Sequence, residues 1–249
     1  MATGAQYRFV RGMDGYRRTD AEYYRRLPWT TGEDPQASEW NIRQRSYALL
    51  LRRVLAVDAR GRRILDVGAG AGWLSHRLAV LGHRPVAIDR SADGEDGLGA
   101  CRHYEVNVPC VQADFHALPF APGTFDLVVF NASLHYADNI DVAMAEALRV
   151  ARPGAPIAVL DSPMFADPDH GEQMVRDRLA HFRQQGVADP VRMGVGYLTF
   201  DGLGRTAHTI GRTATFVPTR GPWLWELRRL LARPRLRRAP AGFGLWVAR

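Results

Sequence analysis

The segment Ile64-Leu65-Asp66-Val67-Gly68-Ala69-Gly70-Ala71-Gly72-Trp73 limits what this chain can fold into more than any other. An apolar, strand-like run leads into three alternating glycines and then into the first residue of a helical stretch. Glycine carries no Cβ and reaches positive φ freely, so Gly68, Gly70 and Gly72 permit a tight turn and a close approach of backbone to a ligand. Strand, glycine turn and helix in that order open a βαβ unit, with the helix N-terminus brought to the ligand.

The alternation continues down the chain. Arg63–Val67, Pro85–Asp89, Cys110–Ala113, Phe125–Asn131 and Ile157–Asp161 read as strands, with helices over Trp73–Leu81 and Val142–Val150. Short apolar strands alternating with helices predict a parallel sheet covered on both faces. Beyond Asp161, His170–Gln185, Phe200–Ile210 and Trp223–Ala232 read as helices, and Thr213–Pro218 and Gly242–Val247 as strands. A closing strand pair built around a helix leaves one member antiparallel. Upstream, Pro35–Val57 reads as a long helix with an apolar stripe of Trp40, Ile42, Tyr47, Leu50, Leu51 and Val54. Residues 1–34 hold Tyr7, Phe9, Tyr16, Tyr23, Tyr24 and Trp29 among arginines, which predicts an irregular arm with one short helix near Asp20–Arg26. It is too aromatic for a disordered tail, and it forms either a lid or packing beneath the first helix.

Composition narrows the function classes. Among 249 residues no run approaches the 18 or so apolar residues of a membrane span. Met1 to Val10 lacks the apolar core of a secretory signal, so a cytoplasmic protein is expected. The chain has no lysine; all 33 basic residues are arginine, which genome composition explains most simply. Schiff-base chemistry, a P-loop and the lysine of short-chain dehydrogenases are thereby excluded. Cys101 and Cys110 do not make a zinc site or a disulfide framework, and Cys110 is expected as a buried thiol in a strand. No metal is expected. The net charge of +7 resides in Arg220–Arg249, where eight arginines face one glutamate. That stretch reads as a solvated face around an amphipathic helix (Trp223, Leu224, Leu227, Leu230, Leu231), and alternatively as a helix lying on an acidic membrane or partner.

Trp73 sharpens the reading of the glycine turn. A dinucleotide fingerprint asks for a small residue three positions after Gly70, where this chain places tryptophan. With Asp66 ahead of the glycines, the segment resembles the first motif of the class I S-adenosylmethionine-dependent methyltransferases, acidic-x-G-x-G-x-G. Pro85-Val86-Ala87-Ile88-Asp89, Gln112-Ala113-Asp114-Phe115, Phe125 to Ala132 and Glu146 to Gly154 extend the resemblance in order. It covers about Arg62 to Asp161 and is nearest to small-molecule enzymes similar to those of quinone biosynthesis. The resemblance implies a doubly wound, mostly parallel, seven-stranded Rossmann-like α/β sheet with the last strand antiparallel, plus an N-terminal helical and aromatic arm. Residues 1–60 would then be an arm and helix covering the active site, and 61–249 the core, with a helical insertion at about 162–212.

The resemblance also implies S-adenosyl-L-methionine as cofactor, and it assigns the site. Asp66, Gly68, Ala69, Gly70, Gly72 and Trp73 form the first motif; Asp89, followed by Arg90, meets the ribose; Asp114 and Phe115 meet the adenine; Asn131 lies beside the methionine part. Each has a plainer reading: Asp66 tying down loop N–H groups, Asp89 capping a strand, and Asp114 and Asn131 forming turns. His135, just after the fourth strand, is the candidate general base, although related enzymes often carry a histidine there without an established base role. His170, Tyr197 and His208 are weaker candidates, and Arg43 and Arg45 either reach the cofactor carboxylate or form a solvated helix face. The expected activity is O-, N- or C-methylation of a small natural-product or quinone-like acceptor, chosen by residues 1–60, 132–139 and 162–212. A nucleic-acid methyltransferase is the alternative suggested by the arginine tail, but Asn131-Ala132-Ser133-Leu134 replaces the N/D-P-P-aromatic signature of enzymes acting on base amino groups. An NAD(P) oxidoreductase would share Gly68, Gly70 and Asp89, and Trp73 and the missing lysine argue against it. A non-catalytic cofactor-binding subunit is the remaining alternative. The oligomeric state stays open.

Overall fold

Near-continuous apolar runs belong to strands covered on both faces. The computed structural model, which describes residues 2–13, 15–55, 60–221, 227 and 237–249, places them so. Five strands pair in parallel: β1 (Arg63–Val67), β2 (Arg84–Asp89), β3 (Cys110–Gln112), β4 (Leu127–Asn131) and β5 (Ile157–Leu160). A separate two-stranded parallel sheet joins β6 (Met164–Phe165) to β7 (Leu198–Thr199), a pairing too short to leave a pattern in the sequence. β8 (Ala214–Pro218) and β9 (Gly244–Ala248) complete the main sheet in the order β3-β2-β1-β4-β5-β9-β8, with β9 antiparallel to both neighbours. The strand order reverses between β1 and β4. In a doubly wound sheet the ligand crevice lies there, beyond the carboxyl ends of the strands.

Strand side chains alternate between faces, and two cores result. Ile64, Leu127, Val129 and Ala158 point to one face, where α3 (Ala37–Arg53) and α4 (Trp73–Val80) cover them with Leu50, Leu74 and Leu78. Leu65, Val128, Phe130 and Ile157 point to the other, against α5 (Ile140–Val150) and α7 (Phe200–Thr209). Between these, α6 (Pro168–Gln184) packs on the β6–β7 pair. Side-chain caps fix where the helices start: Asn139 accepts from the Val142 N–H, Asp167 from Asp169 and Thr199 from Gly202. No helix among the described residues is long and apolar enough to cross a membrane.

Three expectations need correction or qualification. The arm is more regular than its punctuation suggests, since α1 (Ala2–Met13) precedes the anticipated short helix α2 (Ala21–Arg26). Long-range contacts steady α1: Arg11 pairs with Asp96, and the Gln6 side chain exchanges two hydrogen bonds with the backbone of Val191. A twelve-residue helix gains little stability from local propensity, so such contacts decide it. Cys110 is exposed, not buried, because β3 is the edge strand and turns this residue outward. The helix expected at Trp223–Ala232 falls outside the described residues except for Leu227. Beyond it, Arg238 pairs with Asp177 of α6, so the basic segment is not wholly a solvated face.

Phe130 sits fully buried on the most central strand. Phe130→Ala should lower unfolding free energy by about 3–5 kcal/mol in a urea titration. A loss below about 1 kcal/mol would show that this core can collapse around the change.

Candidate active site

At the reversal point, the turn after β1 is built on close approach. Gly68 has φ +71, and a Cβ there would overlap the Ser133 side chain; the Ser133 hydroxyl in turn donates to the Val67 carbonyl at 2.5 Å. Gly72 begins α4 in the left-handed conformation, with the Cys101 thiol only 2.5 Å from where its Cβ would stand. Neither position admits a side chain. Between them, Gly70 faces open space apart from the Asp96 carbonyl, and its N–H donates to the Asp89 carboxylate at 2.9 Å.

The two acids of this turn hold it from behind. Asp66 is fully buried; one carboxylate oxygen accepts from the Ser75 hydroxyl at 2.8 Å, and the other has no partner among the described residues. Burial pushes its pKa up to about 7, against the opposing hydrogen bonds from Ser75. Asp66 thus fastens β1 to the first turn of α4. Asp89, at the end of β2, receives the N–H groups of Gly70 and Ser91, and burial also raises its pKa.

A cavity of about 610 Å³ opens over the turn. Of the residues expected at the site, Gly68, Ala69, Gly70, Trp73, Asn131 and His135 line it. Asp66, Gly72 and Asp89 stand behind its floor. Arg90, Asp114 and Phe115 lie on the same edge of the sheet but outside the cavity. There Arg90 pairs with Asp114 at 3.4 Å, Asp114 also holds His116, and Phe115 is buried in the core. His170, Tyr197 and His208 do not reach the cavity, and Arg45 bonds Asn41 on an exposed surface while Arg43 faces inward.

Aromatic residues of the arm and α3 form the roof. Trp73 meets Trp40 edge-on at 5.9 Å and Tyr47 at 6.0 Å, and the Trp40 indole N–H donates to the Tyr23 hydroxyl. Tyr16, Tyr23 and Tyr24 share that core while also lining the cavity, so the arm packs and covers at once. Trp73 is bulky because it is the contact between α4 and this roof.

His135 lies in a short turn of 3-10 helix (Leu134–Tyr136), its Nδ1 3.1 Å from the Ser162 hydroxyl. Burial, reinforced by the charges of Arg178 and Arg43, pushes its pKa down to about 3. The imidazole is therefore neutral at neutral pH. Asp161, beyond β5, is also buried; it accepts from the Ser46 hydroxyl at 2.5 Å, and its second oxygen has no partner among the described residues. Asp161 (φ 51) and Ala132 (φ 54) are non-glycine residues in the left-handed region, at the ends of neighbouring strands. Such backbone is costly and recurs where a site is shaped by its surroundings. Sequence reasoning did not single out Asp161, or the α6 face that walls the cavity with Met174, Arg178 and His181. The four- and three-residue spacing of that face was the available signal.

Residues 65–159, from β1 to β5, match the family model described as a methyltransferase domain. A malonyl-[acyl-carrier protein] O-methyltransferase of Erwinia billingiae is 32% identical over 115 residues, which are 46% of this chain and 44% of that one. A demethylmenaquinone methyltransferase of Renibacterium salmoninarum is 37% identical over 123 residues, 48% and 49% of the two chains. The chain thus spans about half the length of the curated relatives it matches. Among solved structures, the YcgJ protein of Bacillus subtilis superposes with a TM-score of 0.56 at 16% identity, over 82% of this chain and 96% of that one. A 1,6-didemethyltoxoflavin-N1-methyltransferase of Burkholderia thailandensis, with 1,6-didemethyltoxoflavin and S-adenosylhomocysteine bound, does so with 0.53 at 18%, over 88% and 81%. The matched residues carry five of the seven strands of the main sheet, and the chain as a whole shares the Rossmann-like fold of these solved structures.

Burial raises the Asp161 pKa from 3.8 to about 6, so the folded state keeps a proton that the unfolded chain loses. Its contribution is full below pH 3.8 and is lost as pH rises to about 6. Asp161→Asn removes this dependence. Measured by urea unfolding, the variant should gain on the wild type by roughly 2–3 kcal/mol across that window and level off above it. A constant difference would show that folding does not raise the Asp161 pKa.

Proposed function

We propose that this protein is an S-adenosylmethionine-dependent methyltransferase acting on a small-molecule acceptor. The observation that carries the proposal is the glycine turn between β1 and α4, which opens directly onto a cavity roofed by the aromatic arm. The residues present fit the cofactor. Gly70 leaves room for close approach, and each Asp89 oxygen already holds one N–H and retains lone-pair capacity for a ribose hydroxyl. By the family resemblance, Asp114 and the backbone N–H of Phe115 would serve the adenine from outside the cavity, and Asn131 would lie along the methionine part. Asp66 would act indirectly, by fixing α4 against β1.

Bound there, S-adenosylmethionine supplies a methyl group on a positively charged sulfur, which is already a good leaving group. The protein's share is then chiefly positioning and exclusion of water. Trp40, Trp73 and the arm tyrosines close the cavity on one side, and α6 closes it on another. A group that binds its proton only near pH 3 is a weak base, so His135 enters this reading as a neutral hydrogen-bonding partner of the acceptor. Two unpaired thiols are in keeping with a cytoplasmic setting.

S-adenosylhomocysteine should bind with calorimetric heat and NADH should not. Asp89→Ala should weaken S-adenosylhomocysteine by about 2–4 kcal/mol, since hydrogen bonds to a charged acceptor are lost. NADH binding without any heat from S-adenosylhomocysteine would end this reading.

A further inference from the structure

Three arginines line the cavity, and besides Arg11 two of them enter from the helices that wall it, Arg43 from α3 and Arg178 from α6. Both are half-buried, and among the described residues neither has an ion pair or a hydrogen bond. Their guanidinium groups rest only on aromatic rings, Arg43 on Trp40 at 4.7 Å and Arg178 on Phe182 at 5.4 Å. Other arginines around the site are satisfied: Arg11 by Asp96, Arg192 by Glu172, Arg238 by Asp177.

The acids that could answer them are already engaged. Asp96 belongs to Arg11, and Glu39 takes the Tyr16 hydroxyl. Asp177, the chain neighbour of Arg178, is held by Gln173 and Arg238, while Glu172 is held by Arg192 and Tyr197. Asp161 feels the charge of Arg43 and so offers that arginine a partial counter-charge. Arg178 has none. A partly desolvated cation without a counter-ion is costly, and a planar guanidinium fork matches a carboxylate in geometry as well as charge. Beside it stand the neutral His135 and the apolar Met174, Phe182 and Phe243, surfaces suited to the body of an organic acid.

Resting on the methyltransferase reading above, we propose that the acceptor is a small organic acid whose carboxylate is held by Arg178, which makes Arg178 the residue that selects the substrate class. Arg43, nearer Asp161 and the roof, is left to the cofactor side.

The test is calorimetric titration of the protein saturated with S-adenosylhomocysteine. The probes are matched acids and amides: benzoate and benzamide, 1-naphthoate and 1-naphthamide, 3-phenylpropionate and its amide. Acids should bind at least about tenfold more tightly than their amides, equivalent to about 1.4 kcal/mol. Arg178→Gln should abolish that preference, and Arg178→Lys should keep part of it, with thermal melting confirming that both variants fold. S-adenosylhomocysteine should bind Arg178→Gln as tightly as wild type. The proposal is overturned if no acid binds, if amides bind as well as acids, or if Arg178→Gln retains the preference. It is also overturned if Arg178→Gln weakens S-adenosylhomocysteine as much as the acids, because Arg178 would then serve the cofactor's own carboxylate. If S-adenosylhomocysteine fails to bind wild type, the cofactor reading fails, and the acid–amide comparison on the protein alone still decides the role of Arg178.

Discussion

β1 and β4 run side by side to Val67 and Phe130, and the chains leaving them must then part without losing contact. Gly68 against Ser133 is how they do so. The absent Cβ lets the turn after β1 lie on the turn after β4, and the Ser133 hydroxyl closes the last carbonyl of β1. From that contact the rest follows: Gly70 turns its N–H back to Asp89, Gly72 starts α4, and Asn131 and His135 come to the same floor.

The charge pattern around this floor is asymmetric. Asp66 and Asp161 are buried acids whose pKa values rise toward neutrality. Arg43 and Arg178 belong to the same lining as Asp161. A neutral His135 between the two sides is the electrostatic result of both burial and those cations. Around Arg178 the lining carries a positive charge with no ion-pair partner among the described residues.

How much was legible depended on whether the information was local. The strands from Arg63 to Ile157 could be read because buried parallel strands are runs of Ile, Leu, Val and Phe bounded by glycine and acidic residues. The helix at Ala2–Met13 could not, since its support comes from Asp96 and Val191, far away in sequence. β6 and β7 are two residues each and carry no period. Cys110 looked like a core residue because an apolar run does not reveal which strand will lie at the edge. The site divided in the same way. Gly68, Gly70 and Asp89 announce themselves by spacing, whereas Arg178 and Asp161 matter through which neighbours they lack, a property of three-dimensional packing alone.

The edge-on contact between Trp40 and Trp73 gives the protein an optical window on its own cavity. Among the described tryptophans, these two line the space where cofactor and acceptor would lie. Trp40 is further tied to Tyr23 by its indole N–H. Anything that enters, or that lifts the arm away, changes the polarity and geometry felt by both rings. Intrinsic fluorescence can therefore follow occupancy of the cavity without a label.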